Sequence, residues 1–170
     1  SDADLFASNG RGIEVHAWMN PYRGLTSSSV NAAQNHVTRT LSSAAITYNG
    51  AVVMNPGERA VRQHVESVVQ DLLTRYDVDG LHFDDYFYPY PGSGAPFRDG
   101  ASFAAHGSGF ATRADWRRAN IDALVSGLHE RIAATKPWVQ FGVSPFAVWR
   151  NASTDPSGSD TKAGIETYDD

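Results

Sequence analysis

The 170-residue sequence contains no cysteine, which excludes a disulfide framework and thiolate metal sites. That absence does not name a compartment, because many envelope proteins lack cysteine too. No run approaches the roughly 18 consecutive apolar residues of a membrane span. Charge is also sparse: 19% of residues are charged and the net charge is −5, which gives no reason to expect nucleic acid or an anionic membrane surface as partner. No signal-peptide pattern precedes Ser1. Ala3-Asp4-Leu5-Phe6 leads straight into the first strand, and Asp169-Asp170 closes the chain without a terminating pattern. We therefore expect a fragment. What is present, 41% hydrophobic residues, fits a folded chain able to bury one core.

Strands and helices alternate along it. Residues 12–19, closed by Asn20-Pro21-Tyr22-Arg23, predict a first strand, and residues 24–43 a polar loop with some irregular helix. Residues 45–54 read as a hairpin whose Asn49-Gly50 suits the positive φ angles of a type I′ turn. The hairpin sits outside the main alternation, as an insertion. Asn55 as N-cap, Pro56 at the first helical position and Glu58 at capping-box spacing predict a helix. Its apolar stripe is Val61, Val65, Val68, Val69, Leu72 and Tyr76. The segment Val78-Asp79-Gly80-Leu81-His82-Phe83-Asp84-Asp85 follows as a second strand ending in paired carboxylates. Residues 91–109 form a long loop rich in Gly, Ser and Ala, whose length favours a lid or binding loop. Thr112 and Asp115 open another helix, with Trp116, Ile121, Leu124, Leu128 and Ile132 on one side and Pro137 at its end. Residues 139–144 are a third buried strand. Helices between strands imply a parallel sheet, doubly wound or barrel.

Sorting each strand by its period of two separates the chemistry from the core. Ile13, Val15 and Ala17 oppose Glu14, His16, Trp18 and Asn20; Leu81 and Phe83 oppose His82, Asp84 and Tyr86; Phe141 and Val143 oppose Gln140, Gly142 and Ser144. A doubly wound sheet calls for apolar residues on both faces. One polar face in every strand is resolved most simply by a barrel, with His16, Trp18, His82, Asp84 and Ser144 around one cavity at its mouth. Glu14 and Gln140 suit structural hydrogen bonds, and Asp79-Gly80 suits a turn. An inward carboxylate must be paired or used, which singles out Asp84. Asp85 either shares that work or caps the loop. His16 and His82 either contact ligand or are interior histidines satisfied by neighbours. Tyr86, Phe87, Tyr88 and Tyr90, broken by Pro89 and Pro91, cannot make a regular core stripe and favour a ligand-facing platform.

Several long motifs together resemble the glycosyl-hydrolase-like 10 family. They are Val15-His16-Ala17-Trp18-Met19-Asn20-Pro21-Tyr22-Arg23, the segment from Tyr76-Asp77-Val78-Asp79 through Asp84-Asp85-Tyr86-Phe87-Tyr88-Pro89, and Phe141-Gly142-Val143-Ser144-Pro145-Phe146-Ala147-Val148-Trp149-Arg150-Asn151. Asn55-Pro56-Gly57 and Asp115-Trp116-Arg117-Arg118-Ala119-Asn120 are similar to further signatures of that family. The resemblance implies an α/β fold, a (β/α)8 TIM-barrel glycosidase of the bacterial envelope or secreted, some members of which cleave peptidoglycan glycan strands. It implies that residues 1–170 are part of a single catalytic domain, covering about strands three to five plus the inserted hairpin. A barrel of eight strands typically takes ~250 residues, so a second catalytic carboxylate can fall outside the chain. Asp79-Gly80-x-x-x-Asp84 is also similar to the fourth-strand motif of chitinase-type barrels, but the acid of that motif would fall at Tyr86, which argues against a substrate-assisted mechanism.

The sequence thus points to a glycoside hydrolase acting on a bacterial polysaccharide, with Asp84 as a catalytic carboxyl and Asp85 and His82 as its tuners. Asp85 would raise the pKa of Asp84 by like-charge proximity. His16, Trp18, Asn20, Tyr22 and Arg23 would line one wall, Tyr86 and Tyr88 a platform, and Ser144, Trp149, Arg150 and Asn151 the opposite wall. No cofactor or metal is called for. A carbohydrate-binding barrel without turnover explains the aromatics equally well. A metal-dependent hydrolase built on His82, Asp84 and Asp85 lacks ligands at recognisable spacing. The oligomeric state is not legible.

Overall fold

A computed structural model describes residues 10–84, 86–90, 96–145 and 156–158. In chain order its elements are β1 (His16–Met19), β2 (Arg23–Leu25), α1 (Val37–Thr40), a 3-10 turn (Ser42–Ala44), β3 (Ala45–Tyr48) and β4 (Ala51–Met54). These are followed by α2 (Arg59–Arg75), β5 (Gly80–Phe83), α3 (Gly100–His106), α4 (Arg113–Thr135) and β6 (Gln140–Val143).

Strands β1, β5 and β6 form a parallel sheet in that order. His16 lies beside Gly80 and Gly80 beside Gln140, while Trp18 lies beside His82 and His82 beside Gly142. Leu81 and Phe83 are fully buried. They share one core with Val61, Val65, Val69 and Leu73 of α2 and Leu124, Leu128 and Ile132 of α4. Each buried aliphatic side chain of this kind contributes roughly 1.5–3 kcal/mol by leaving water. Both crossover helices cover the same face, as successive right-handed β-α-β connections require. The other face keeps its polar side chains.

The first strand begins at His16, later than the expected residue 12. Ile13 is 55% exposed and does not pack beneath a helix. Val15 is held by a different device: its N–H donates to Asp79 Oδ2 (2.8 Å), and its carbonyl accepts from Asp79 N (2.9 Å). Asp79 is therefore structural, through a link between neighbouring strand ends more than through its own turn.

The hairpin turn forms as expected, with positive φ at Asn49 and Gly50. The hairpin also recruits β2 into a separate antiparallel sheet ordered β2-β4-β3. Asn55 does not cap α2. Its Oδ1 accepts from Gly57 N (3.0 Å), closing a tight turn, and the helix starts at Arg59 with Glu58 in the cap position. Gly57 is required there because a Cβ would stand 2.2 Å from the Trp116 ring. Thr112 caps α4 as predicted, accepting from Asp115 N at 3.0 Å.

The 91–109 segment is not a structureless loop. It contains α3, tied down on both sides. Asp99, fully buried, accepts two hydrogen bonds from the Arg117 guanidinium at 2.6 and 2.7 Å. Ser102 Oγ accepts from Asn55 Nδ2 (2.7 Å) and donates to Glu58 Oε1 (2.5 Å). No described helix is long and apolar enough to cross a membrane.

Candidate active site

Two strand glycines shape the polar face. A Cβ on Gly80 would lie 2.3 Å from His16 Nδ1, and one on Gly142 would lie 3.1 Å from His82 Nδ1. Each imidazole thus leans across the backbone of the next strand, into space that a Cβ would block at Gly80 and crowd at Gly142. His82 Nε2 then reaches Ser144 Oγ at 2.9 Å. Ser144 is itself fixed by its N–H, which donates to the Phe83 carbonyl (2.9 Å). On β1, His16 Nε2 lies 3.4 Å from Glu14 Oε2. His16, Trp18, His82 and Ser144 therefore share one face, as period-two sorting predicts. That face is open, with Trp18 61% exposed.

Asp84 follows β5 directly, at the C-terminal end of the parallel sheet, and is half-buried. Its Oδ1 accepts from Tyr86 N (3.3 Å), so the carboxylate also shapes the start of the aromatic loop. Asp85, Trp149, Arg150 and Asn151 lie outside the described residues.

The aromatic loop and the hairpin enclose a cleft of about 230 Å3. Its walls include Arg23, Tyr48, Asn49, Tyr86 and Tyr90. The Arg23 guanidinium sits over the Tyr86 ring, 4.5 Å from its centroid, and Tyr86 and Tyr90 lie 5.0 Å apart. Tyr48 and Asn49 were not singled out as site residues. The signal was available, since a tyrosine beside an Asn-Gly turn at a hairpin tip has little core to fill.

Tyr22 and Tyr88 line this cleft but are themselves buried, and Asn20 takes another position. Tyr22 lies in the core, and its hydroxyl has no hydrogen-bond partner among the described residues. Burial drives its phenol well above the ordinary tyrosine range, with Tyr88 adding to the effect. Tyr88 is 2% exposed, its hydroxyl 3.3 Å from Asn120 Nδ2 and its ring against Arg117 and Phe97. Burial raises its pKa too, partly offset by the Asn120 bond. Asn20 parts from Trp18 and lines a separate pocket of about 160 Å3 with Val61, His64 and Val65. Among the described residues, no three His, Asp or Glu side chains gather in a way that could hold a metal.

A parallel sheet that carries polar groups on one face and helices on the other is the arrangement of a β/α-barrel wall. The solved structures agree on the fold. The α-galactosidase from Lactobacillus brevis matches 98% of this chain and 20% of its own, with TM-score 0.53 at 11% identity. The GH36 α-galactosidase from Geobacillus stearothermophilus matches 84% of this chain and 18% of its own, with TM-score 0.50 at 14% identity. The particular family follows from sequence: residues 6–169 match Glycosyl hydrolase-like 10, and the chain belongs to that family. It is 40% identical over 163 residues to Glycosyl hydrolase YngK of Bacillus subtilis (strain 168), covering 94% of this chain and 32% of that protein. It is 37% identical over 176 residues to Glycosyl hydrolase DigH of Escherichia coli (strain K12), covering 98% of this chain and 40% of that protein. The chain thus spans about a third to two-fifths of the length of these relatives.

Proposed function

We propose that this chain is part of a single (β/α)8 catalytic domain, holding about strands three to five, of an enzyme that hydrolyses O-glycosyl bonds in a bacterial polysaccharide. The favoured substrate is an amino-sugar glycan strand of the peptidoglycan type, met in the cell envelope or outside the cell. The observation that carries this reading is the position of Asp84. It stands at the C-terminal end of β5, next in the alternation to the His82–Ser144 pair and one turn from the aromatic cleft. Active sites of barrel enzymes occupy that end. Family membership supports the reaction class.

In this mechanism Asp84 is one of two carboxyls. The partner would sit about 5 Å away in a retaining enzyme, or roughly 6.5–9.5 Å in an inverting one. Asp85, the sequence neighbour of Asp84, lies outside the described residues, and the role proposed for it is electrostatic. His82, oriented by Ser144, stabilises the carboxylate side of the site. Trp18, exposed beside His82, offers a ring face for a sugar.

A second reading has a specific observation behind it. The bond from Tyr86 N to Asp84 Oδ1 is one that a purely structural aspartate would also accept, and a binding barrel without turnover would keep it. Asp84→Asn in the intact protein separates the two. Catalysis by Asp84 predicts a fall in turnover of at least ~100-fold on peptidoglycan glycan strands, the lower range for general acid–base catalysis, with glycan affinity nearly unchanged. Full activity in that variant would remove Asp84 from the mechanism.

A further inference from the structure

We infer that the cleft between the hairpin tip and the aromatic loop is a sugar subsite that selects a pyranose carrying a carboxylate, with Arg23 as the group that reads it. The inference rests on the glycan-cleaving reading above and specifies what one position of that glycan must carry.

The residues argue for this in three ways. First, size: at about 230 Å3 the cleft is below the roughly 300–1,000 Å3 common for drug-sized ligands. It suits one ring, not an extended oligosaccharide. Second, surface: the cleft is lined by Tyr48, Tyr86, Tyr90 and Pro89 around a few polar groups, the mixture of apolar faces and polar edges that a pyranose presents. Third, charge: Arg23 has neither an ion pair nor a side-chain hydrogen bond among the described residues. Its guanidinium carbon lies over the exposed Tyr86 ring, 4.5 Å from the centroid. A cation–π contact of this kind uses the charge and consumes none of the N–H donors. The donors of this exposed guanidinium can meet the two parallel oxygens of a carboxylate.

The neighbouring cations show the contrast. Arg117, stacked over Tyr88 at 5.2 Å, spends its donors on Asp99. Arg23 has a similar ring contact and, among the described residues, no acidic partner. In the proposed subsite the ligand supplies the acid. Position supports the assignment, since Asp84 binds the backbone N–H of Tyr86, the residue on which Arg23 rests.

Titration calorimetry on the intact protein tests this. The probes are a peptide-free tetrasaccharide of alternating N-acetylglucosamine and N-acetylmuramic acid, a hexuronate tetrasaccharide, and both with their carboxylates converted to methyl amides. The wild type should bind at least one acid form about 10-fold or more tightly than its amide, the scale of a charge-assisted hydrogen bond. Whichever acid shows the larger preference identifies the carboxylate source. Arg23→Ala should abolish the preference by weakening the acid form, leaving the amide within about twofold. Arg23→Lys, which keeps charge without the fork, should keep part of it and serves if the alanine variant fails to fold. No preference in the wild type, or a preference that survives Arg23→Ala, overturns the inference, as does failure of both acids to bind. Because binding is measured, the outcome is independent of turnover. An Arg23-dependent preference without any hydrolysis would defeat the hydrolase reading and leave the subsite, and hydrolysis without preference would do the reverse.

Discussion

His82 and Ser144 are joined by a 2.9 Å hydrogen bond between Nε2 and Oγ that crosses from β5 to the end of β6. The imidazole lies over the backbone of Gly142, where a Cβ would make a tight contact of 3.1 Å with Nδ1. The hydrogen bond fixes a ring that would otherwise rotate on an open face. Removing it with Ser144→Ala should cost only about 0.5–1.5 kcal/mol of stability. If the ring orients Asp84, the same variant should lower kcat more than it raises KM and shift the acidic limb of the pH–rate profile. A pH profile superimposable on wild type would mean that the bond is only structural.

Gly80 and His16 make a second such pair. Adding a methyl group at 80 places it 2.3 Å from His16 Nδ1, so Gly80→Ala should destabilise by about 1–3 kcal/mol through overpacking. Adding His16→Ala should recover most of that loss, because the clash needs both side chains. Denaturant midpoints for both single variants and the double variant provide the check. Strictly additive losses would place the strain elsewhere.

Asp99 and Arg117 anchor the segment that carries α3. Asp99→Ala removes the two hydrogen bonds and the ion pair that Asp99 gives to Arg117, a side chain only 12% exposed. The expected cost is about 3–5 kcal/mol. Hydrogen exchange should localise the loss to α3 and the N-terminal turns of α4. Uniform deprotection of the parallel sheet would instead mean that the pair supports the whole core.

Tyr22 has a fully buried hydroxyl with no partner among the described residues, so Tyr22→Phe should be neutral or stabilising by about 1 kcal/mol. Burial raises the pKa of Tyr22 and of Tyr88 above the ordinary value. The unfolded chain ionises such phenols near about pH 10, while the folded chain keeps them neutral. Their contribution is thus fully present below that pH and is lost as pH rises beyond it. Tyr22→Phe should make the alkaline loss shallower. An unchanged slope above about pH 10 would show that Tyr22 does not titrate in the unfolding transition.

Trp18 is exposed on the same face as His82. In the proposed site Trp18→Ala should weaken glycan binding by about 10-fold, within the range of one lost ring contact, while kcat falls less. Calorimetry and initial rates on the same strands distinguish binding from chemistry. A large fall in kcat with intact affinity would assign Trp18 to the reacting centre instead.

The parallel strands, both long helices, the type I′ turn and the Thr112 cap were legible in the sequence. Each depends on contacts within a few residues. Val61, Val65 and Val69 recur at helical spacing, and Leu81 and Phe83 alternate with His82, whatever they later pack against. The shared face of His16, Trp18, His82 and Ser144 was legible for the same reason. Alternation determines facing once the strands are parallel and in register.

Tertiary structure alone decided where tyrosines and asparagines with several acceptable environments would settle. Tyr22 and Tyr88 line the cleft, but Tyr22 is buried in the core and Tyr88 against Phe97 and Arg117, where apolar area outweighs the wish of a hydroxyl for water. Asn55 has the spacing of a helix cap, yet its side chain closes a turn, because Trp116 needs Gly57 beneath it and Ser102 competes for the amide. The cleft itself joins Arg23, Tyr48 and Tyr86, brought together from β2, a hairpin and a loop. No local pattern can encode that meeting. It exists because β4 pairs with both β2 and β3, an arrangement set by long-range hydrogen bonding in the folded chain.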